Sequence, residues 1–217
     1  EDGNQIFHIS FSSSSSDSYY DNLPIPNETF TNIDNDTVGV SVSEISGNTT
    51  ETGEIATYSV VLNSAPVNDV TINLSSNDTS EGTVSPSSLT FTSNDWSSPQ
   101  TVTVTGVDDA IADGQQVYKI IASTTSSSDS SYNGLEVDDL TVFNLDDDSS
   151  GITVFPNAGL STTESEDQVS FSIVLNSTPS SDVTINLASD DTTEGTVSPD
   201  SVTFPPINWS SPQAIIA

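Results

Sequence analysis

The acidic residues of this chain are grouped, and the groups stand where short strand-like runs end or begin. Asp108 and Asp109 end one run and Asp113 follows in the same loop, whereas Asp146–Asp148 end another run and Glu51 precedes a third. Loops at one end of a β-sandwich converge, so carboxylates that are distant in sequence can meet there. Such carboxylates repel one another unless a cation neutralises them. Ca²⁺ takes roughly six to eight oxygen ligands in flexible geometry, and it suits the group better than Mg²⁺, which demands near-octahedral geometry.

The charge balance favours a cation as the partner and argues against several other chemistries. The chain has 217 residues, 32 Asp and Glu, one Lys and no Arg, for a formal net charge of −31. A basic surface for nucleic acid or anionic lipid therefore cannot form. No Cys is available for a disulfide or thiolate site, and the single His8 weakens any zinc or Ser-His-Asp proposal. No apolar run approaches the ~20 residues of a membrane span, so no membrane insertion is expected.

The chain also repeats itself, with a period of about 112 residues. Three pairs of segments carry the repeat: Glu81–Pro86 with Glu194–Pro199, Trp96–Gln100 with Trp209–Gln213, and Asn32–Asp36 with Asn144–Asp148. This register predicts that residues 1–36 are the C-terminal part of a repeat, that 37–148 form a complete repeat, and that 149–217 are the N-terminal part of the next. Because 1–36 and 149–217 are complementary parts, we expect a head-to-tail array, either of chain copies or of adjoining repeats in one polypeptide.

Alternating short runs, separated by Gly, Pro, Asn, Asp and Ser, predict an all-β chain. Within the complete repeat the predicted strands lie near 38–43, 55–62, 69–75, 88–92, 100–107, 116–124 and 139–145. Val102 and Val104, for example, share one face of the fifth run. Seven strands in about 110 residues, each with one buried face, are typical of an immunoglobulin-like sandwich, here in tandem. Trp96 precedes a strand and is predicted to cover the end of the sandwich; carbohydrate stacking is the alternative.

Two motifs give the sequence a family resemblance. Residues 102–118 resemble the Calx-beta signature, in which a strand ends in Asp-Asp, an acidic loop follows, and the next strand begins with an aromatic residue. Asn144–Asp148 resembles the acidic tail that closes a Calx-beta domain. The resemblance covers the complete repeat and both partial ones. It implies seven-stranded sandwiches of the kind found in sodium–calcium exchangers and in large bacterial surface proteins, with calcium at the end that faces the next domain.

The resemblance also implies a set of calcium ligands. In the complete repeat they are Glu51, Glu81, Asp108, Asp109, the backbone carbonyl of Ile111, Asp113, Asp146, Asp147 and Asp148. The same positions in the partial repeats are Asp2, Asp34, Asp36, Glu164 and Glu194. Glu44 is the alternative to Glu51. Gln116 stands where an acidic residue is often found, which implies fewer or weaker ions, and Asn35 interrupts the first acidic tail.

Other interpretations stay open at this point. Asp and Asn favour turns without any metal, and this is the preferred interpretation for Asp138 and Asp139. For the whole chain, a calcium-stiffened structural array on a cell surface or in an extracellular filament competes with an adhesin whose loops contact glycans. An enzyme is not expected, because no nucleophile and base stand at a recognisable spacing.

Overall fold

The described part of the chain, residues 3–165 and 167–217 of a computed structural model, consists of strands and loops without a helix. The predicted all-β class is therefore confirmed. Within the same residues, no helix is long and apolar enough to cross a membrane. The strands fall into three groups along the chain, and the middle group positions the acidic residues.

The middle group has ten strands in two sheets. They are β3 (Val40–Val42), β4 (Thr49–Thr50), β5 (Ile55–Leu62), β6 (Val70–Ser76), β7 (Gly82–Ser85), β8 (Ser88–Phe91), β9 (Gln100–Gly106), β10 (Gln116–Ala122), β11 (Ser126–Ser127) and β12 (Leu140–Leu145). One sheet has the order β3-β5-β9-β7, and the other has the order β4-β12-β10-β6, with β8 and β11 both paired to β6. All pairs are antiparallel except β4 with β12, which is parallel.

The two sheets share one apolar core, as the alternating sequence pattern predicts. Every second residue of β5 is buried, and β6, β9 and β10 alternate in the same way. The largest fully buried side chains of this core are Phe91, Tyr118 and Tyr132. Two sheets that bury their inner faces against each other form a β-sandwich.

The strand count differs from the sequence prediction. Each of the seven predicted runs contains a strand, but β4, β7 and β11 are additional, so a seven-stranded immunoglobulin-like topology is not confirmed. These three strands have only two to four residues. Alternation cannot be recognised over so short a run, and their pairing depends on neighbours that are distant in sequence.

The other two groups are smaller. β1 (Gln5–Ile9) and β2 (Glu28–Asn32) form an antiparallel hairpin. The last group comprises β13 (Ile152–Phe155), β14 (Ser170–Leu175), β15 (Val183–Asn186), β16 (Ser201–Phe204) and β17 (Gln213–Ile216). It forms a β13-β14-β17 sheet and a β15-β16 pair around a second, smaller apolar cluster. The predicted divisions after residues 36 and 148 stay a prediction.

Candidate metal centre

Glu51 reaches the acidic tail through the parallel pairing of two strand ends. Thr50, the last residue of β4, lies opposite Leu145, the last residue of β12. The next step of this pairing is a hydrogen bond from the Glu51 backbone N–H to the Leu145 carbonyl at 3.0 Å. Since Asp146 follows Leu145 directly, the two chain segments that carry acidic side chains leave the sheet side by side.

A buried asparagine ties a third segment to this end of the sandwich. Asn144 Oδ1 accepts a hydrogen bond from Thr49 Oγ1 at 3.1 Å, and Asn144 Nδ2 donates to the Val107 carbonyl at 2.9 Å. Asn144 and Thr49 are both fully buried. Val107 immediately precedes Asp108, so Asn144 connects the ends of β4, β12 and β9. Sequence analysis missed this role, although the recurrence of the residue as Asn32 before the first acidic tail was a usable signal.

Gly106 allows these strand ends to approach closely. A Cβ atom at this position would lie 2.5 Å from the Thr50 carbonyl oxygen and would also overlap Asn144 Oδ1. Only glycine leaves room there, because both neighbours are held in place by the β4–β12 pairing. The close packing brings the beginning of the 108–113 loop against the residues around Glu51.

Five carboxylates meet at this end. Glu51, Asp108 and Asp147 form one group, and Glu51, Asp146 and Asp148 form a second. In each group one carboxylate oxygen per residue lies within 4.8 Å of the others. Glu51 is buried and belongs to both groups, whereas Asp108 and Asp147 are exposed. Each group could hold a cation, and Glu51 would then be a ligand shared by both.

Three carboxylate oxygens at this end are buried without a hydrogen-bond partner: Glu51 Oε2, Glu81 Oε2 and Asp148 Oδ2. Buried polar atoms in folded proteins are nearly always hydrogen-bonded, so each exception needs an explanation such as an ion. The donor set consists of oxygens alone, which is the set that hard cations such as Ca²⁺ and Mg²⁺ prefer. These residues therefore fit a metal ion.

The electrostatics of the group lead to the same conclusion. Burial, together with the negative charges of Asp109 and Asp146, raises the pKa of Glu51 from 4.5 to about 7. Burial and the neighbouring Asp146 and Asp147 charges also raise the pKa of Asp148. Without a cation, the site therefore resists full ionisation near neutral pH.

Glu81 joins the site from the other sheet. Its backbone carbonyl accepts a hydrogen bond from Val107 N–H at 3.0 Å, which continues the β7–β9 pairing. Burial raises the pKa of Glu81, and the charges of Asp113, Asp78 and Asp109 add to this shift. Glu81 therefore lies near the acidic loop but belongs to neither carboxylate group, and its role as a ligand stays a prediction.

The 108–113 loop is organised by its own hydrogen bonds. Asp109 Oδ1 accepts from Ile111 N–H at 2.6 Å, and the Ile111 carbonyl, a predicted ligand, accepts from Asp113 N–H at 2.8 Å. Asp146 Oδ2 accepts from Gly114 N–H at 2.6 Å, which joins the loop to the tail. Asp109 and Asp113 thus influence Glu51 through their charge and lie outside both groups.

Among residues 3–165 and 167–217, the predicted ligands of the partial repeats form no such group. Asp34 Oδ2 accepts from Gly3 N–H at 2.8 Å, and Asp34 Oδ1 accepts from Asp36 N–H at 2.9 Å, so both lie in the turn after β2. Glu164 and Glu194 are exposed in the last group of strands. The reason for Glu164 and Glu194 is topological. Glu51 is placed by the parallel pairing of β4 with β12, and β12 has no counterpart among β13–β17. Asp2 lies outside the described residues.

Three further sequence alternatives can be compared with the structure. Glu44, the alternative to Glu51, is exposed and belongs to neither group. Asp139 Oδ1 accepts from the N–H of Ala122, the last residue of β10, at 3.1 Å, and the turn interpretation of Asp138 and Asp139 stays a prediction. Trp96 is half-buried and packs against the core, as predicted for a residue that covers the end of the sandwich.

Comparison with known proteins adds little to this picture. No family model and no curated protein sequence matches the chain. One similar solved structure is that of domains 5–6 of the S-layer protein SbsC, with a TM-score of 0.26 and 16% sequence identity over 72% of this chain and 74% of that chain. This likeness is distant, and the function proposed below depends on the acidic site of the chain itself.

Proposed function

We propose that this chain is a calcium-stiffened structural segment of an extracellular filament or of a giant cell-surface protein, built from Calx-beta-like, immunoglobulin-like repeats. The observation that carries the proposal is the buried Glu51 carboxylate, which has an unpartnered oxygen and belongs to two carboxylate groups. A buried charge is costly unless it is paired or coordinates a metal. The chain offers only Lys119 as a basic partner of the Lys or Arg type, and Lys119 is exposed in the middle of β10.

Calcium fits the donor set better than magnesium. The ligands come from three separate segments of chain and mix buried and exposed carboxylates. Ca²⁺ accepts such irregular oxygen cages, whereas Mg²⁺ requires near-ideal octahedral geometry and keeps several waters. A pair of calcium ions that share Glu51 would neutralise up to four of the five carboxylates.

A contact with the following strands supports a stiffening role. The Ala110 carbonyl, in the middle of the acidic loop, accepts a hydrogen bond from Thr178 N–H at 2.6 Å. Ile111, Ala112 and Asp113 also line a cavity of about 630 Å³ together with residues 150–152, 175, 177–180 and 183. A cation that orders the loop would therefore restrict movement between the complete repeat and the next one.

Thermal unfolding with calcium, magnesium or a chelator tests the proposal. An ion that binds only the folded state stabilises it by RT ln(1 + [L]/Kd), about 2.7 kcal/mol at a hundredfold excess over Kd. We expect calcium to raise the unfolding midpoint clearly more than an equal concentration of magnesium. An unchanged midpoint in calcium, with no heat of binding in calorimetry, would contradict calcium binding.

A further inference from the structure

A network of buried polar side chains lies next to the strand ends that carry the acidic groups. Tyr118 on β10, Thr49 on β4 and Asn144 on β12 are each at most 1% exposed. Tyr118 Oη lies 3.0 Å from Thr49 Oγ1, and Thr49 Oγ1 lies 3.1 Å from Asn144 Oδ1. From Asn144 Nδ2 the network continues to the Val107 carbonyl at 2.9 Å. A tyrosine of the core is thus linked to the residue that precedes Asp108.

The number of available protons fixes the direction of these hydrogen bonds. Thr49 has one hydroxyl proton and donates it to Asn144 Oδ1, so Thr49 can only accept from Tyr118. The reverse direction would leave Tyr118 without an acceptor in the part of the chain that the structure describes. The Phe143 carbonyl, 3.3 Å from Thr49 Oγ1, competes for the Thr49 proton. Because the Tyr118 hydroxyl occupies one position around Thr49 Oγ1, it limits the rotation of that proton between its two acceptors.

The orientation of the Asn144 amide matters because its two ends have opposite polarity. When Oδ1 accepts from Thr49, Nδ2 is the end that donates to the Val107 carbonyl. The same amide supports Glu81: burial raises the pKa of Glu81, and a hydrogen bond from the Asn144 side chain opposes this shift. A rotated amide would place Oδ1 against these acceptors and repel them. Two segments of the acidic site therefore depend on how Asn144 is held.

Two paired glycines leave room for the network. Gly82 on β7 lies opposite Gly106 on β9. A Cβ atom at Gly82 would overlap Tyr118 Oη, and one at Gly106 would overlap Asn144 Oδ1. The backbone of the β3-β5-β9-β7 sheet therefore packs closely on both ends of a network whose side chains belong to the other sheet. This packing confines the Tyr118 hydroxyl to its place beside Thr49.

We propose that the Tyr118 hydroxyl sets the calcium affinity of the acidic site by fixing the Thr49 hydroxyl and, through it, the Asn144 amide. Asn144 in turn holds the segments that carry Asp108 and Glu81. Tyr118 acts through other residues and is a positioning residue. Removal of a group that orients metal ligands from outside typically lowers metal affinity by about 10–100-fold. The inference rests on the proposed calcium binding and adds to it a residue of the core.

Substitution Tyr118→Phe removes the hydroxyl and keeps the ring. We expect calcium affinity, measured by calorimetry, to fall by about tenfold. The matched control is Tyr132→Phe, because Tyr132 is equally buried and its hydroxyl bonds to Ser64, beyond the end of β5 that lies away from the acidic loop. Loss of that hydroxyl should lower the unfolding midpoint without changing calcium affinity. Equal affinity of Tyr118→Phe and wild type, or an equal loss of affinity in both variants, would overturn the proposal.

Two substitutions at Thr49 separate the hydrogen bond from packing. Thr49→Val keeps the branched shape and loses the hydroxyl, whereas Thr49→Ser keeps the hydroxyl and loses a methyl group. We expect Thr49→Val to lower calcium affinity at least as much as Tyr118→Phe does, and Thr49→Ser to bind nearly like wild type. The losses in the double variant Tyr118→Phe with Thr49→Val should not add, because both act through one network. Additive losses, or weaker binding by Thr49→Ser than by Thr49→Val, would mean that packing sets the affinity.

Nuclear magnetic resonance in a chelator tests the network without calcium. The resonances of the Asn144 side-chain amide and of the Val107 carbonyl should shift in Tyr118→Phe and stay in place in Tyr132→Phe. If they do not shift in Tyr118→Phe, the hydroxyl does not orient Asn144, and the proposal is wrong even where the wild-type chain binds calcium. If they shift but the wild-type chain binds no calcium, the network stands, whereas the calcium function and the role of Tyr118 in affinity are both overturned.

Discussion

Glu51 is the residue at which burial and charge conflict most strongly. The residue is 4% exposed, one carboxylate oxygen has no hydrogen-bond partner, and four aspartates contribute to the two groups around it. Burial disfavours the ionised form, and like charges add to that effect. A bound cation reverses both, so the same residue should destabilise the calcium-free protein and stabilise the calcium-bound one.

Substitution Glu51→Gln should separate these two effects. The neutral amide has nearly the shape of the carboxylate but carries no charge. We therefore expect the calcium-free variant to be at least as stable as wild type above pH 7. Calcium affinity should fall by about tenfold or more, because a shared ligand is lost. Calorimetric binding and melting curves with and without calcium measure both quantities. Glu54→Gln, an exposed position nearby, is the control and should change neither; equal calcium affinity in Glu51→Gln and wild type would argue against the site.

The raised pKa of Glu51 also predicts that two quantities change with pH in opposite directions: the stability of the calcium-free protein and the stabilisation that calcium adds. The folded pKa is about 7, compared with an ordinary value of 4.5. Between these values the folded state binds more protons than the unfolded state, so the stability of the calcium-free protein should decrease as pH rises from about 4.5 to about 7. Calcium competes with the proton, so the calcium-induced rise in melting temperature should grow over the same pH range. Melting curves at several pH values, with calcium or chelator, measure this; a calcium effect that does not change with pH would contradict it.

At the scale of elements, the site depends on where three strands end. β4 has two residues, yet its parallel pairing with β12 places Glu51, and the hydrogen bonds of Asn144 hold the end of β9 beside both. Buried polar side chains with all their bonds formed fix local geometry, and removal of one partner leaves the others unsatisfied. Asn144 is therefore a positioning residue for ligands that it does not itself supply.

Substitution Asn144→Ala should weaken both fold and site. The Val107 carbonyl would lose its bond from Asn144, and Thr49 Oγ1 would keep only Tyr118 and the Phe143 carbonyl, which we expect to cost about 1–3 kcal/mol of unfolding free energy. Calcium affinity should fall by about 10–100-fold, as for other residues that orient metal ligands. Denaturant unfolding and calorimetry measure the two effects. Asn73→Ala, at an exposed position of β6, is the matched control. If Asn144→Ala bound calcium with wild-type affinity, Asn144 would not be needed to position the ends of β4, β9 and β12.

At the scale of the whole molecule, the acidic loop lies between the complete repeat and the strands that follow. Its Ala110 carbonyl bonds to Thr178, and its neighbours line the cavity between the two parts. Ordering of the loop should therefore be visible in the overall dimensions of the protein as well as in its stability.

The double substitution Asp108→Asn with Asp109→Asn should loosen this junction more than the core. Small-angle scattering of the variant in calcium should resemble that of calcium-free wild type, with a wider distribution of overall dimensions. Glu136→Gln with Asp138→Asn changes the net charge equally at exposed positions and should scatter like calcium-loaded wild type. A variant as extended and uniform as calcium-loaded wild type would mean that these aspartates do not control the junction.

The sequence alone determined the all-β class, the positions of seven strands and the candidate acidic segments. Alternation is a local signal, so β5 and β9 could be predicted from residues such as Tyr58, Val102 and Val104, which are buried as expected. The family resemblance implied a glutamate near the start of the repeat, and Glu51 was preferred to Glu44 because it lies seven residues before Tyr58, as Glu164 does before Phe171. The structure places Glu51 in the acidic groups.

Only the tertiary structure decided which acidic residues share a site. Asp108 and Asp147 are 39 positions apart, and Asp109 and Asp113 were equally good candidates, yet the two groups contain Asp108 and the three tail aspartates. This selection depends on the short β4–β12 pairing, on the bonds of Asn144 and on the absence of a Cβ atom at Gly106. Each of these is a contact between residues distant in sequence. Such contacts leave no periodic pattern in the sequence, so they could not be predicted from it.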